Sequence, residues 1–203
     1  MTATNVQPDN AKLIFSLNLL TDKRTFWLLQ IAGAIFFFFF GWFFVWFTAQ
    51  IRITLFQAGF LEGIGALLGN SSIIQFLLIV LGPMIVFILV HELIHGAFFW
   101  IFSHSRPIFG LRSGYAYAAA PGWYFPRGQY LVIALAPLVL ISILGMALVA
   151  VLPAGTIVAI LVGVVANAAG SVGDIWIAFL VIREPSKIVI EDLGDGFNIY
   201  KLG

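Results

Sequence analysis

Long runs of apolar residues, separated by short polar stretches, dominate the chain between residues 26 and 182. A helix needs about 20 consecutive apolar residues to cross the hydrocarbon layer of a bilayer, and four runs reach that length. We therefore predict an all-α membrane protein with four transmembrane helices, at about 26–48, 73–101, 129–152 and 156–182. Pro83 and Pro137 lie inside two of these spans, where neighbouring helices can absorb the freed backbone groups and kinks are expected.

The composition supports a place in the bilayer. Of the 203 residues 62% are hydrophobic and 9% are charged, and the mean hydropathy is +1.06, whereas soluble domains contain about 45–50% apolar and about 25% charged residues. The net charge of +1 leaves no basic surplus for binding nucleic acid. Because the chain contains no cysteine, disulfides and thiolate metal sites are excluded.

The distribution of basic residues predicts the orientation, because Lys and Arg are retained on the cytoplasmic side of a membrane. If the N-terminus is cytoplasmic, four spans place nine of the ten Lys and Arg residues in cytoplasmic segments, and only Arg52 lies in the outer segment. We therefore expect a multi-pass protein of the cell (inner) membrane with both termini cytoplasmic and an interfacial outer segment at 49–72. The expected divisions are a cytoplasmic leader at 1–25, a single membrane domain at 26–182 and a cytoplasmic tail at 183–203.

Charged and titratable residues are rare inside the predicted spans. The second span contains the stretch HELIHG at residues 91–96, and across all four spans the acids are Glu92 and Asp174 and the histidines are His91 and His95. An acid in the middle of a membrane helix costs about 2.5–3.5 kcal/mol on insertion scales, and no Lys or Arg lies in the spans as a partner. A bound divalent cation would offset this cost, because it stabilises deprotonated ligands.

The spacing of HELIHG is suited to zinc. Residues four apart in a helix project from the same face, so His91 and His95 can both ligate one Zn²⁺ ion. Glu92 lies beside them, where a general base of a zinc hydrolase belongs. Structural zinc sites ordinarily have four protein ligands, often thiolates, so a site with an open position favours catalysis.

Asp174 is the predicted third zinc ligand. Asn167, Ser171 and Asp174 are spaced to form one polar stripe on the fourth span, and this stripe is expected to face the zinc. Two other interpretations remain open for Asp174, namely a buried protonated acid and a hydrogen-bond partner of Asn167. Asn167 could equally serve to bridge helices.

Three segments together resemble a known family. HELIHG, the following ALAPL span and the NAAGSVGD stretch resemble bacterial membrane proteins described as zincin peptidases, and more distantly the site-2 protease type of intramembrane zinc metalloprotease. The resemblance covers residues 75–182 and implies a three-helix core formed by spans 2–4. It further implies that His91, His95 and Asp174 are the zinc ligands, that Glu92 is the general base, and that Asn167 assists near the scissile bond or the oxyanion.

These features predict an intramembrane zinc metallopeptidase that acts near the cytoplasmic face on a membrane protein or peptide substrate. A zinc-binding scaffold or regulator without proteolytic activity is an alternative, although it would not need Glu92. A zinc hydrolase acting on a lipid-like substrate is another. A metal transporter is disfavoured because the outer halves of the spans are almost wholly apolar. The oligomeric state is left open.

Two segments outside the spans have alternative interpretations. The loop at 103–128 contains LRSGYAYA, which is compatible with a strand or hairpin that dips toward the site, but an amphipathic interfacial loop anchored by Trp123 and Tyr124 is slightly preferred. In the tail, VIEDLGDGFNIY is typical of a hairpin with an Asp-Gly turn.

Overall fold

The structure, a computed structural model, describes residues 2–53, 65, 69, 72–112 and 115–203. Its helices in these ranges are α1 (Lys23–Ile51), α2 (Ile73–Ser103), α3 (Arg127–Val151), α4 (Ile157–Gly170) and α5 (Val172–Arg183). Three of them, α1 to α3, are long and apolar enough to cross a membrane, and the bent pair of α4 and α5 makes a fourth span if it counts as one. The predicted outer segment, 49–72, lies largely outside the described residues.

Polar groups define two of the helix ends. Asp22 precedes α1 and accepts hydrogen bonds from the backbone N–H and the hydroxyl of Thr25, at 3.1 and 2.7 Å, which is the arrangement of an N-cap. At the C-terminal end of α3, the Arg52 guanidinium donates to the carbonyl oxygens of Val149 and Leu152. A cation there is favourable because the last carbonyls of a helix lack intrahelical donors.

The fourth predicted span is not one continuous helix. It is divided at Ser171 into α4 and α5, and the backbone angles of Ser171 are φ −70° and ψ 5°. Gly170 and Gly173 flank the break, and glycine is among the weakest helix formers. The polar stripe predicted for a continuous helix is therefore interrupted at its middle residue.

The prediction of an all-α fold is correct only in part, because the described residues are mostly helical but also form six strands. They are β1 (Lys12–Asn18), β2 (Ile108–Arg112), β3 (Tyr115–Ala119), β4 (Tyr124–Pro126), β5 (Ile188–Asp192) and β6 (Gly196–Lys201). Four of them form an antiparallel sheet in the order β1-β6-β5-β4, and β2 pairs with β3 in a separate hairpin. The leader and the tail thus contribute paired strands to a common sheet.

Both hairpin interpretations agree with the structure. In the 103–128 loop, β2 and β3 pair from Ile108 opposite Ala119 to Arg112 opposite Tyr115. The interfacial-anchor alternative does not describe Tyr124, which is buried in the protein with its ring 5.6 Å from that of Tyr200. In the tail, β5 and β6 are joined by a turn in which Gly194 has a φ of +81°, a conformation that favours glycine.

The described residues divide into two compact units. The first comprises Met1–Ile31, His91–Pro137 and Ser171–Gly203, and the second comprises Ala32–Val90 and Leu138–Gly170. In the first unit the four-stranded sheet and parts of α2, α3 and α5 share one core, in which Phe99, Phe125 and Phe197 are almost fully buried. In the second unit, Phe44, Val149 and Val164 belong to a separate core. The division of the chain into leader, membrane domain and tail stays a prediction.

A buried hydrogen bond joins β5 to the start of α3 within the first unit. The Tyr130 hydroxyl donates to Asp192 Oδ2 at 2.7 Å, and the Gly194 N–H donates to Asp192 Oδ1 at 2.9 Å. Burial raises the pKa of the Asp192 carboxyl to about 6, against an ordinary value of 3.8, although both hydrogen bonds oppose the rise. The native protein therefore keeps Asp192 protonated up to a higher pH than the unfolded chain does.

Asp192 should make the stability of the protein depend on pH. The pKa of the Asp192 carboxyl is higher in the native state than in the unfolded chain. Its contribution to the free energy of unfolding is therefore fully present below pH 3.8 and is lost as the pH rises through about 6. The D192N variant stays neutral and can still accept from Gly194 N–H, so it should gain up to about 3 kcal/mol in free energy of unfolding over wild type as the pH rises. Thermal unfolding of both proteins in detergent at about pH 4 and about pH 7.5 measures this difference. A difference that is the same at both pH values would contradict the assignment.

Candidate metal centre

His91 and His95 project from one face of α2, as their spacing predicts. Both are buried, with 9% and 8% of their surfaces exposed, and their Nε2 atoms are 3.1 Å apart. At this separation the two imidazoles can share one hydrogen bond or can both bind one ion. The residues around them decide between the two arrangements.

Asp174 completes a cluster with the two histidines. It lies in the first turn of α5, and its Oδ2 and Oδ1 atoms are 3.2 Å from His91 Nε2 and 3.5 Å from His95 Nε2. Three ligand atoms, one from each residue, lie within 4.8 Å of one another. Asp174 is the third residue of α5, so it follows the break at Ser171 directly.

The separations are compatible with one zinc ion. Two ligand atoms bonded to zinc at about 2.0–2.1 Å with tetrahedral angles are about 3.3 Å apart. The two Nε2 atoms are 3.1 Å apart, and each faces a different oxygen of Asp174, Oδ2 at 3.2 Å from His91 and Oδ1 at 3.5 Å from His95. Two imidazoles and one carboxylate are also an ordinary donor set for catalytic zinc, with a fourth position left for water or substrate. His91, His95 and Asp174 could therefore hold Zn²⁺.

A backbone carbonyl fixes the orientation of His95. Its Nδ1 atom is 2.9 Å from the carbonyl oxygen of Ile133 in α3. Because a carbonyl oxygen only accepts, Nδ1 must be the donor. In the neutral ring the lone pair is then on Nε2, the atom that faces His91 and Asp174. Metal-binding histidines are usually held in this way by a partner on the other ring nitrogen.

Glu92 is positioned by the hairpin that follows α2. Its side chain is partly buried and accepts a hydrogen bond from the backbone N–H of Ala118 in β3. The hairpin packs closely against α2, since a Cβ atom built on Gly96 would overlap the Phe109 ring. Glu92 follows His91 directly in the chain, and both imidazoles and Asp174 are near enough to affect it electrostatically. It is therefore a carboxylate held next to the cluster and outside its ligand set.

Asn167 is buried in α4, with 1% of its surface exposed. The role assigned to it by resemblance stays a prediction.

The sequence did not identify two groups that hold the site. Both are backbone groups, the Ala118 N–H and the Ile133 carbonyl, and neither depends on the type of side chain. The alternating pattern after Arg106 was compatible with a hairpin near the site, although an interfacial loop was preferred, and the pattern did not indicate which residue's N–H meets Glu92. For the Ile133 carbonyl the sequence does contain an indication, which is the proline four residues later in α3, Pro137.

A family comparison covers this part of the chain. Residues 84–189, just over half of the chain, match the family described as "Putative zincin peptidase". The chain belongs to this family. The match confirms the family resemblance inferred from the sequence, and it supports the assignment of the protein to the class of zinc metallopeptidases. No curated protein and no solved structure matches the chain significantly. The more distant resemblance to site-2 proteases stays a prediction.

Proposed function

We propose that the protein is a membrane-embedded zinc metallopeptidase. It hydrolyses peptide bonds of membrane proteins or membrane-associated peptides near the cytoplasmic face of the cell membrane, with both termini in the cytoplasm. The observation that carries this proposal is the cluster of His91, His95 and Asp174, in which one ligand atom from each residue lies within 4.8 Å of the others. The family supports the reaction class.

Each residue of the site has a chemical task in peptide hydrolysis. His91, His95 and Asp174 would hold the zinc ion, which in such sites polarises a carbonyl group and acidifies water. Glu92 takes a proton from the attacking water, whose oxygen bonds to the amide carbon. As the C–N bond breaks, Glu92 gives that proton to the leaving amine. The products are a carboxylate and an amine, and Glu92 returns to its starting state.

The way in which Glu92 is held supports catalysis over a purely structural zinc site. The Ala118 N–H keeps its carboxylate beside the cluster, and a proton-transferring group must be within hydrogen-bond reach of its partner. A scaffold that only binds zinc has no use for such a base.

The lengths of the helices support a membrane location for the substrate. α1, α2 and α3 contain 29, 31 and 25 residues, so each is at least about 37 Å long at 1.5 Å per residue, more than the roughly 30 Å of a hydrocarbon layer. Their exposed surfaces are rich in large apolar side chains, among them Trp42, Ile85 and Leu144. Such surfaces require lipid around them, so the substrate is expected to reach the site from the bilayer or its surface.

New protein termini in whole membranes test the peptidase proposal. Membranes from cells that produce the wild type should contain new N-termini that are absent when the E92Q variant is produced at the same level. The matched control is E184Q, the same change at the residue that follows α5 as its C-cap. It should reproduce the wild-type termini. If wild type and E92Q yield the same termini while lipid hydrolysis differs between them, the substrate is lipid-like. If neither proteins nor lipids differ, the site is not hydrolytic.

A further inference from the structure

The helix α3 has a backbone feature opposite the metal cluster. In an α-helix the carbonyl of each residue accepts a hydrogen bond from the N–H four residues later. The residue four positions after Ile133 is Pro137, which lies inside α3 and has no N–H. The Ile133 carbonyl therefore lacks its regular α-helical donor.

The side chain that bonds this carbonyl is His95. Its Nδ1 atom lies 2.9 Å from the Ile133 oxygen, and the contact is buried. Donation from Nδ1 places the lone pair of His95 on Nε2, which is 3.1 Å from His91 Nε2 and 3.5 Å from Asp174 Oδ1. The carbonyl that the proline frees is thus the group that sets the tautomer and the ring orientation of a residue in the cluster.

We propose that Pro137 is a positioning residue for the metal centre, because it reserves the Ile133 carbonyl for His95. This inference rests on the proposed zinc site. A residue other than proline at this position would carry an N–H directed at the same carbonyl, and that donor would compete with His95 Nδ1. Partners that orient metal-binding histidines raise metal affinity by about 10- to 100-fold.

Replacement of Pro137 by alanine separates this role from folding. Alanine is smaller than proline and is the best helix former, so the P137A variant should unfold at the same temperature as the wild type or higher. Its zinc affinity should nevertheless fall by about 10-fold or more. A residue that matters only for the helix would not produce a loss of affinity together with unchanged or greater stability.

Pro83 supplies a matched control. It also lies inside a long apolar helix, α2, and P83A makes the same chemical change at a distance of two turns from His91. Because its backbone position is not the one that bonds His95, P83A should bind zinc as the wild type does. An equal loss of affinity in both variants would show that helix bending, and not the Ile133 carbonyl, sets zinc affinity.

The experiment measures two quantities on purified full-length protein in detergent. The first is the dissociation constant for Zn²⁺, by competition with a chelating dye, for wild type, P137A and P83A. The second is the tautomer of His95 in metal-free protein, measured by nitrogen-15 NMR. The H95Q variant assigns the His95 signals. A proton on Nδ1 is expected in the wild type, and a mixture of tautomers is expected in P137A. Wild-type zinc affinity in P137A, or an Nδ1 without a proton in wild type, would overturn the proposal. Failure of wild type to bind zinc would overturn it together with the metal site, whereas normal zinc binding without peptide hydrolysis would overturn the proposed function alone.

Discussion

The E92Q variant should lose peptide hydrolysis by about 10³-fold or more while it keeps its zinc. Glutamine has the shape of glutamate, and its Oε1 atom can still accept the Ala118 N–H, so the hairpin and α2 should keep their contact. Glutamine cannot, however, take a proton from water or return it to the leaving amine, and general acid–base catalysis contributes about 10²- to 10⁴-fold. Because Glu92 serves in both proton transfers, the upper part of that range is expected.

Turnover and metal content must be measured on the same preparation. A fluorogenic peptide that contains an apolar helical segment reports turnover in proteoliposomes, and elemental analysis reports zinc per chain. E184Q should match the wild type in both measurements. Hydrolysis by E92Q at the wild-type rate would exclude Glu92 as the base, and loss of zinc from E92Q would show that this carboxylate supports the metal site itself.

The long helices could be predicted from sequence because each carries its own signal. Twenty or more apolar residues in a row can satisfy their backbone only as a helix in lipid, and α1, α2 and α3 contain the predicted spans with small differences at the ends. The four-stranded sheet could not be predicted in this way. β1 pairs with β6, from Lys12 opposite Lys201 to Asn18 opposite Gly196, and nothing in the leader indicates that its partner lies at the far end of the chain.

The candidate site was partly predictable for a similar reason. The spacing of His91 and His95 is a local property of one helix and places both rings on one face. Asp174 could be predicted because acids are rare in the spans, and the structure brings it to the histidines even though the helix breaks at Ser171. The groups that orient the site, Ala118 N–H and Ile133 carbonyl, are backbone atoms whose positions depend on tertiary packing. Pro137 shows that such a group can still leave a trace in the sequence, since proline marks a carbonyl that needs another donor.

The D174N variant should bind zinc at least about 100-fold more weakly than the wild type. Loss of a residue that only orients a ligand lowers metal affinity by about 10- to 100-fold, and loss of a residue that binds the metal directly should have a larger effect. Asparagine fills the same space, but its neutral amide is a much poorer zinc ligand than a carboxylate, and the remaining imidazoles carry no charge to balance the cation. This loss differs from that of E92Q, which should affect turnover alone.

Thermal unfolding with and without added Zn²⁺ shows whether the carboxylate of Asp174 is the group that the metal needs. A ligand that binds the native state stabilises it by RT ln(1 + [L]/Kd), so the wild type should melt at a higher temperature as zinc is added and D174N should not. D195N, the same change in the turn between β5 and β6, should respond to zinc as the wild type does. Equal stabilisation of wild type and D174N by zinc would mean that the two histidines bind the metal with a partner other than Asp174.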